Sequence, residues 1–382
     1  MQIVHSRCCG LDVHKKSVMA CVLIITAVGE VVTETRSFGT TTAELLALGD
    51  WLASNGATHV AMESTGVYWK PVFNLLEDRF DVILVNAHHI KQVPGRKTDV
   101  KDAQWIAELL QHGLLTPSFV PPPPIRELRD LTRQRTLLIR ERATLSNRVQ
   151  KVLEDANLKL ASVASDTLGA SGRAMIEAVI NGQDDPERLA DLAQRRLRAK
   201  IPELKRAMQG RVTDHHRFQL RMLLTQRDQQ EALIAQYDAR IETWTRPFEE
   251  TVARLETIPG VGRKSAEVIM AEIGTDMTRF ATPGHLASWA GMCPGNNQSG
   301  GKRRSGRTTK GDQWLRTTLV QVAWAAVHSK ETIFRACYGR WSKRMGKKKA
   351  LVAVGHKILV LVHVLLSGKV DYRETYQAPA AS

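Results

Sequence analysis

Cysteine is scarce in this sequence and follows no functional pattern. The chain has five cysteines, at positions 8, 9, 21, 293 and 337, without the Cys-x-x-Cys or Cys/His spacing of a metal site. An odd number of cysteines also argues against a disulfide framework. We therefore expect buried thiols, and the sequence favours neither a zinc centre nor a disulfide-stabilised secreted domain.

Aromatic residues and long apolar runs are also sparse. Aromatic side chains make up 5% of the chain against 43% hydrophobic residues, which is typical of a helix-rich globular protein. The apolar run from Val18 to Val28 is interrupted by Thr26, so it predicts neither a signal peptide nor a spanning helix. The apolar stretch from Ala350 to Leu366 contains Lys357 and His363, which favours a buried core helix. We expect a cytoplasmic protein with no membrane partner.

Acidic residues are outnumbered, most strongly near the C-terminal end. The chain has 54 lysines and arginines against 39 acids, a net charge of +15. Between Asn296 and Ala350, 14 basic residues face only Asp312 and Glu331. A solvated basic surface without a partner is one interpretation. Because the block is so one-sided, attraction of nucleic-acid phosphates is the favoured one.

The first 90 residues alternate between strand and helix patterns. β-rich runs cover 7–13, 18–27, 30–38, 59–63 and 80–85, and helical patterns cover 42–54 and 68–78. This order predicts an α/β layer architecture. Asp12 lies in the first strand and Glu63 at the carboxyl end of the fourth, where ligands collect in α/β sheets.

Two carboxylates open the next predicted helix, 99–115. Asp99 and Asp102 are three residues apart, so both project from one helix face and can share a cation. Lys97 and Lys101 flank them. The alternative interpretation is that the two acids only complement the helix dipole.

Three short motifs carry a family resemblance. They are residues 10–15 (GLDVHK), 62–68 (MESTGVY) and 97–103 (KTDVKDA). In this order they resemble the motifs of the RuvC-like, RNase H-fold domain in the DEDD transposases of insertion sequences, the enzymes that work with a bridge RNA.

The resemblance implies that Asp12, Glu63, Asp99 and Asp102 gather at one end of the sheet around a divalent metal. Mg²⁺ prefers such hard oxygen ligands, and two ions can stabilise both oxygens of a phosphoryl displacement. The adjacent His88 and His89 are interpreted as loop residues and not as ligands.

The middle of the chain reads as helical. Pro121 to Pro124 predict a stiff boundary. Two helices follow. The first has apolar residues every seven positions, at Leu131, Leu138, Leu145 and Val152. The second has them at steps of three and four, at Leu233, Tyr237, Ile241 and Trp244. Arg135 and Arg142 interrupt the heptad seam, so an antiparallel hairpin within one chain and an intermolecular coiled coil both remain open. The resemblance implies a dimer-forming arm.

A glycine-containing turn follows at residues 257–266 (TIPGVGRKSA). It resembles a helix-hairpin-helix turn, which presents backbone N–H groups to a phosphate at a helix N-terminus. Gly260 and Gly262 would allow close approach, and Arg263 and Lys264 would add charge. The alternative is an ordinary turn between helices.

Residues 295–307 (GNNQSGGKRRSGR) predict a basic surface loop. The loop is similar to the one that carries a catalytic serine followed by glycine in the DEDD transposases, which assigns the nucleophile to Ser299. Gln298 stands where the family often has an acid, and Ser305 is the rival serine. A basic loop can stabilise the charge that develops during attack on phosphorus. Nucleic-acid binding is assigned to the basic residues Lys302, Arg303, Arg304, Arg307, Lys347, Lys348 and Lys349.

The resulting hypothesis is an α/β plus α protein with an RNase H-like (RuvC-like) catalytic domain at 1–120. A helical coiled-coil arm at 121–250, a mostly helical transposase domain at 251–373 and a tail at 374–382 complete it. The resemblance implies an RNA-guided DNA transposase or recombinase that uses Mg²⁺ and a covalent phosphoserine. Its partners would be double-stranded donor and target DNA, a guide (bridge) RNA and a second copy of the chain, with a tetramer in the synaptic complex. A hydrolytic RuvC-like nuclease and a non-catalytic nucleic-acid-binding scaffold are the alternatives. Target choice would lie in RNA pairing.

Overall fold

The computed structural model describes the backbone of residues 2–86, 99–295, 297–299 and 302–373, and the side chains of 2–86, 102–295 and 306–373. His88, His89 and Lys97 lie outside these ranges. The chain divides into two compact units, Met1–Val120 and Pro121–Ser382, here called unit 1 and unit 2.

Unit 1 is built on a five-stranded mixed sheet with the order β3-β2-β1-β4-β5. The strands are β1 (Arg7–Val13), β2 (Ser17–Ile25), β3 (Val31–Gly39), β4 (His59–Glu63) and β5 (Asp81–Val85). The first three pair antiparallel, whereas β4 lies parallel between β1 and β5. The α/β prediction for the start of the chain is therefore confirmed, and this strand order is consistent with an RNase H-like fold.

Among the residues of unit 1 that the structure describes, three helices accompany the sheet: α1 (Thr42–Ser54), α2 (Trp69–Leu76) and α3 (Asp99–Gln111). Helix α1 starts where expected because the Thr41 hydroxyl caps it by accepting from the Glu44 N–H. Helix α3 was predicted to reach Leu115 and ends earlier. Gly113, at φ +66°, turns the chain and its N–H donates to the Leu110 carbonyl.

The two faces of the sheet have separate apolar cores. On one face, Leu11, Val13 and Met62 pack in a core with the buried leucines of α1 and the apolar side of α2. On the other face, residues of the sheet such as Cys8 pack with Ala103 and other buried side chains of α3. Alternating strand residues thus point to alternate layers, and among the described helices of unit 1 the acid-bearing helix α3 lies alone on its side.

Gly10 in β1 sets the distance between the sheet and α3. A Cβ at this position would lie 2.1 Å from the Ala103 carbonyl oxygen and 2.4 Å from the Ala107 nitrogen. Both atoms are helix backbone, which cannot rotate away as a flexible side chain can. Glycine is therefore required here for close packing of α3 on β1.

We expect Gly10→Val to destabilise unit 1 by about 3 kcal/mol, because overpacking against backbone must displace the helix. Urea unfolding followed by circular dichroism would measure the change. Gly262→Ala is the matched control, since a Cβ there meets nothing within 4 Å. Equal stabilities of the two variants would show that α3 does not need the glycine.

Unit 2 is mostly helical. Its helices are α4 (Pro123–Asp155), α5 (Leu160–Val163), α6 (Ala170–Ile180), α7 (Pro186–Asp191), α8 (Ile201–Ala207), α9 (Asp214–Thr245), α10 (Glu249–Glu256), α11 (Arg263–Ile273), α12 (Pro283–Trp289), α13 (Gln313–His328), α14 (Ile333–Met345) and α15 (Lys347–Gly368). Short 3-10 turns occur at Arg195–Lys200, Arg246–Phe248 and Met277–Arg279. The predicted helical character of this half is confirmed.

The boundary that the proline run forms before the helix is shorter than predicted. Helix α4 begins at Pro123, so two of the four prolines belong to its first turn. Proline is tolerated there because the N–H groups of a first turn have no partner within the helix. Only Pro121 and Pro122 precede the helix.

Helices α4 and α9 pack antiparallel within unit 2. Arg142 donates both to Oε1 and to Oε2 of Glu231, at 2.9 and 2.7 Å, and Arg135 donates to Asp238 at 3.3 Å. The two arginines that interrupt the heptad series are thus among the residues that join the helices, as is Gln230, which donates to Glu141 at 3.0 Å. Around the far ends of this pair, helices α5 to α8 share a core with residues such as Leu220.

Helix α15 is a core helix of unit 2. Among the described residues it is the one helix long and apolar enough to cross a membrane, and half of its apolar window is buried inside the protein. Val354, Ile358, Leu359 and Val362 are fully buried against neighbouring helices that include α13 and α14. The apolar sequence therefore has a packing role.

Candidate active site and nucleic-acid interface

Asp12 and Glu63 lie side by side at one edge of the sheet. Strands β1 and β4 are paired in parallel as far as Leu11 and Met62, and the two acids are the next residue of each strand. Neighbours in register point to the same face, and Leu11 and Met62 point into the core shared with α1 and α2. The two carboxylates therefore lie on the α3 side.

The first turn of α3 lies at the same edge. The Cys8 thiol contacts the Ala107 carbonyl at 3.6 Å, whereas Gly10, two residues further along β1, lies against Ala103. Helix α3 therefore runs opposite to β1. Asp12 lies two residues, about 7 Å, beyond Gly10 in β1. Asp99 lies one helical turn, about 5 Å, before Ala103 in α3.

The structure thus brings the positions of all four predicted acids to one edge. Asp102 is half-buried on α3, and for Asp99 only the backbone is described. Over the described side chains there is no group of three or more His, Cys, Asp or Glu residues placed to hold a metal ion. A complete metal site at this edge is therefore a proposal.

Two polar neighbours of the acids were not predicted. The His14 Nε2 atom lies 2.9 Å from Asp12 Oδ2, and the Thr65 hydroxyl donates to Glu63 Oε1 at 3.0 Å. Each neighbour follows its acid by two residues and so belongs to the same short motif. These contacts hold the two carboxylates in defined orientations at the sheet edge.

The cysteines of β1 and β2 are buried in the sheet, as expected. Burial raises the pKa of Cys8 to about 12, and burial also raises the pKa of Cys9 and Cys21. These thiols are therefore protonated at neutral pH and unsuited to nucleophilic or metal chemistry. Cys337 is also buried, but Cys293 is only half-buried, which corrects the expectation for that residue.

In unit 2 the basic serine segment is a β-hairpin and not the loop that was predicted. Strand β6 (Asn297–Ser299) pairs antiparallel with β7 (Lys302–Ser305), with Ser299 opposite Lys302. Because two residues separate this pair, the spacing is that of a tight hairpin, which glycine-rich sequence suits. Ser299 ends its strand, whereas the rival Ser305 lies opposite Asn297 at the far end of the ladder.

The hairpin has a narrow base. The Gly295 N–H donates to the Arg307 carbonyl at 2.8 Å, and Pro294 forms a bridge with Thr308. Below that, a Cβ on Gly311 would lie 2.2 Å from the Gly291 nitrogen, so glycine is required for the two backbones to meet. The exposed Arg307 thus lies at a fixed base of the hairpin.

The glycine turn between α10 and α11 has a packing role. Gly260 has φ +87°, and a Cβ there would lie 2.6 Å from backbone atoms of Val322 and Ala326 in α13. The close approach predicted for Gly260 is therefore made to a helix of the same unit. Gly262, by contrast, caps α11 and faces open space.

The two basic residues after this turn are engaged within unit 2. Arg263 pairs with Glu249, Glu256 and Glu267, and the Glu249 hydrogen bonds raise the pKa of its guanidinium. Lys264 donates to Asp238 at 2.7 Å. Part of the positive charge assigned to DNA at this turn is therefore neutralised by carboxylates of the protein.

A buried ion cluster joins α4, α11 and α13, and no pattern in the sequence predicts it. Arg133 donates twice to the Glu272 carboxylate at 2.7 Å and once to Asp312 at 3.0 Å, and Arg129 also pairs with Glu272. Asp312 in turn caps α13 by accepting from the Leu315 N–H. Burial raises the pKa of Glu272 to about 7, although the arginines oppose this shift.

Three consecutive lysines begin α15. Lys347, Lys348 and Lys349 are exposed in its first turn. Cations at this end oppose the helix dipole, so their position does not serve the stability of the helix. It is, however, suited to an anionic partner in solution.

Changing these three lysines to alanine should weaken nucleic-acid binding similarly across sequences. The slope of log affinity against log salt should become shallower by about 2 to 3, because each phosphate contact contributes about 0.9. Fluorescence anisotropy with two unrelated duplexes would measure the slopes. The triple arginine variant is the control, since it keeps the charges, and an unchanged slope in the alanine variant would remove the lysines from the interface.

A sheet with acids at one edge, in a chain that also carries a basic hairpin and basic helices, defines a phosphoryl-transfer enzyme of nucleic acid. Comparison with known proteins agrees: residues 9–158 match a DEDD transposase model of the IS110 type, and residues 252–339 match a model described as "Transposase IS116/IS110/IS902 family". The chain belongs to the IS110-family transposases and is a DNA transposase or recombinase.

Individual relatives support the same family. A probable family 20 transposase of Pseudomonas aeruginosa is 28% identical over 82% of this chain and 85% of its own length. The transposase for insertion sequence element IS1111A of Coxiella burnetii is 24% identical over 76% of this chain and 72% of its own length. A pilin gene-inverting protein of Moraxella bovis is 27% identical over 43% of this chain and 57% of its own length.

Proposed function

We propose that this transposase cuts and rejoins double-stranded DNA under the guidance of a bridge RNA, through a covalent phosphoserine at Ser299. The observation that carries the proposal is the placement of Asp12, Glu63 and the first turn of α3 at one sheet edge. The serine hairpin of unit 2 supplies the matching nucleophile of the family motif.

The donor set at the sheet edge suits Mg²⁺. Asp12, Glu63, Asp99 and Asp102 offer only carboxylate oxygens, the hard ligands that this ion prefers. Asp12 and Glu63 already lie in register on neighbouring strands. When bound, the ion would stabilise negative charge on the phosphate oxygens.

The covalent step proposed for Ser299 conserves the energy of the phosphodiester. Its hydroxyl oxygen forms a bond to phosphorus, the bond between phosphorus and the leaving strand oxygen breaks, and that oxygen takes up a proton. Attack by a hydroxyl of the new partner strand reverses these changes and releases the serine. The lysines and arginines of β7, Lys302, Arg303 and Arg304, would stabilise the charge that develops.

The other assignments follow from the same proposal. Residues 1–120 would form the catalytic domain, 121–250 a dimer-forming arm and 251–373 the transposase domain that binds DNA and RNA. The chain would act as a homodimer that forms a tetramer in the synaptic complex, in the cytoplasm. The basic residues Arg263, Lys264 and Arg307 would contribute to nucleic-acid contacts to the extent that their internal partners release them.

One experiment separates the proposal from its two alternatives. The purified protein is incubated with end-labelled duplex DNA, RNA extracted from the expressing cells and Mg²⁺, and the products are resolved under denaturing conditions. A labelled band covalently attached to protein supports the phosphoserine mechanism. Free cut ends without an adduct indicate a hydrolytic nuclease, and a native-gel shift without cleavage indicates a binding scaffold.

A further inference from the structure

A cavity lies in unit 2 between α4, α11 and α13. Its volume is about 160 Å³. Pockets for drug-sized ligands and cofactors are usually at least about 300 Å³, so this one is too small for a whole nucleotide cofactor. It has room for one small group of a larger ligand, while the rest of that ligand stays outside the cavity.

The charges around the cavity are of one sign. Four cations line it, Arg133, Arg135, Arg140 and Lys264, and no aspartate or glutamate does. The carboxylates that pair with three of these cations belong to other positions, such as Glu272 and Asp312 behind Arg133. Arg133, Arg135 and Lys264 are thus paired with carboxylates that are not part of the lining.

Hydroxyl and apolar groups share the rest of the wall. Thr318 and Ser265 line it beside the apolar side chains of Ile139, Val268 and Trp314, and a hydroxyl can donate to an anionic oxygen. The hydroxyls of Thr136 and Thr317, also in the lining, donate to carbonyls of their own helices. Ser265 lies in the first turn of α11, where the positive end of the helix dipole favours an anion. The chemistry of this lining fits a tetrahedral oxyanion.

Arg140 differs from the other cations of the cavity. Its guanidinium lies over the Trp314 ring at 5.1 Å from the ring centroid, and Arg133 lies over the same ring at 5.8 Å. Within the described part of the chain, no carboxylate pairs with Arg140. It is exposed at the mouth of the cavity and keeps its full charge available to a ligand.

We propose that this cavity binds one backbone phosphate of a nucleic acid strand, with Arg140 and Lys264 at its mouth as the principal contacts. The proposal rests on the nucleic-acid function proposed above and adds a specific phosphate site to it. The serine hairpin returns through Asp312 directly into α13, whose residues form the cavity wall. A phosphate bound here would fix the strand close to the base of that hairpin.

The test compares Arg140→Ala with Arg148→Ala, which removes the same charge from the same exposed helix without touching the cavity. Lys264→Ala and Lys151→Ala form a second matched pair. Binding of a DNA duplex and of a single-stranded RNA is measured separately over a salt series. Each cavity variant should bind about tenfold more weakly than its control and have a slope shallower by about 0.9, in whichever arm supplies the phosphate.

A crystallographic experiment tests the phosphate site independently of catalysis. Crystals of the wild-type protein soaked in tungstate should give an anomalous peak in the cavity, and Arg140→Ala crystals a weaker one. If wild-type protein binds nucleic acid and each cavity variant matches its control, the phosphate site is wrong while the proposed function stands. If wild-type protein binds neither DNA nor RNA, both are wrong.

Discussion

Asp102→Asn should lower DNA strand cleavage by about a hundredfold or more while nucleic-acid binding persists. The substitution keeps the size of the side chain but removes a charged oxygen donor from the edge where α3 begins beside Asp12 and Glu63. Loss of such a contribution to a metal-assisted phosphoryl transfer typically costs two or more orders of magnitude. Cleavage of labelled duplex DNA in Mg²⁺ would be timed against the wild type.

The control for this experiment is Asp81→Asn. Asp81 begins β5 and therefore lies at the opposite end of the sheet from Glu63, and it is exposed with only a 3.5 Å contact to His59. It removes one carboxylate from the same unit and should leave cleavage unchanged. Full activity of Asp102→Asn would exclude Asp102 from the catalytic site, and equal losses in both variants would point to a general effect of charge.

Ser299→Ala should abolish the covalent adduct between protein and DNA, whereas Ser305→Ala should retain it. Both serines lie in the same short hairpin, Ser299 beside its turn and Ser305 at its far end. Comparing the two variants therefore distinguishes loss of the nucleophile from a structural effect on the hairpin. Loss of the nucleophile removes the intermediate itself and leaves no slower route to the same product. The adduct would be measured on a denaturing gel, and an adduct carried by Ser299→Ala would reassign the nucleophile.

Mixed dimers of the two inactive variants show whether acids and serine come from one chain or two. In co-purified heterodimers with different tags, an Asp102→Asn chain still carries Ser299 and a Ser299→Ala chain still carries every acid. An adduct on the Asp102→Asn chain means that acids of one chain serve the serine of the other. Heterodimers that bind DNA but form no adduct would establish that each chain serves itself.

In unit 1 most of the fold could be predicted from the sequence. Strand positions follow from the short β-rich runs, such as that of β1, which is buried on both faces, and α1 is marked by its Thr41 cap. The acids could be placed at strand ends by the same pattern. The close packing of α3 on Gly10 could not be predicted, because it depends on which residue of another element lies opposite.

In unit 2 the helices could be predicted, but their buried faces only in part. Leu138 and Leu145 of the heptad series are buried as predicted. The structure also buries Leu128 and Arg135, however, and leaves Leu131 half-exposed. Likewise Ile234 is buried on α9 and the predicted Leu233 is 42% exposed. Buried positions here follow the packing of several helices around α4, which no single-helix period contains.

The role predicted for Gly260 shows the same limit of prediction from a local sequence pattern. A glycine turn followed by basic residues predicts phosphate binding, yet the missing Cβ makes room for α13 and Arg263 is held by three glutamates. The ion cluster around Glu272 was equally hidden, since its members are far apart in the sequence. Long-range partners decide the role of a charged residue, and a local motif does not name them.

The buried ion cluster lies at one end of the long helix α4. The 33 residues of this helix span about 50 Å, and Arg129, Arg133 and Arg135 fasten its first turns to α11. Because α9 packs antiparallel along α4, the two helices form one pair that the cluster attaches to α11 at one end. A tilt of this helix pair by about 5° at the attached end would displace its far end, which carries the α5 to α8 core, by about 4 Å.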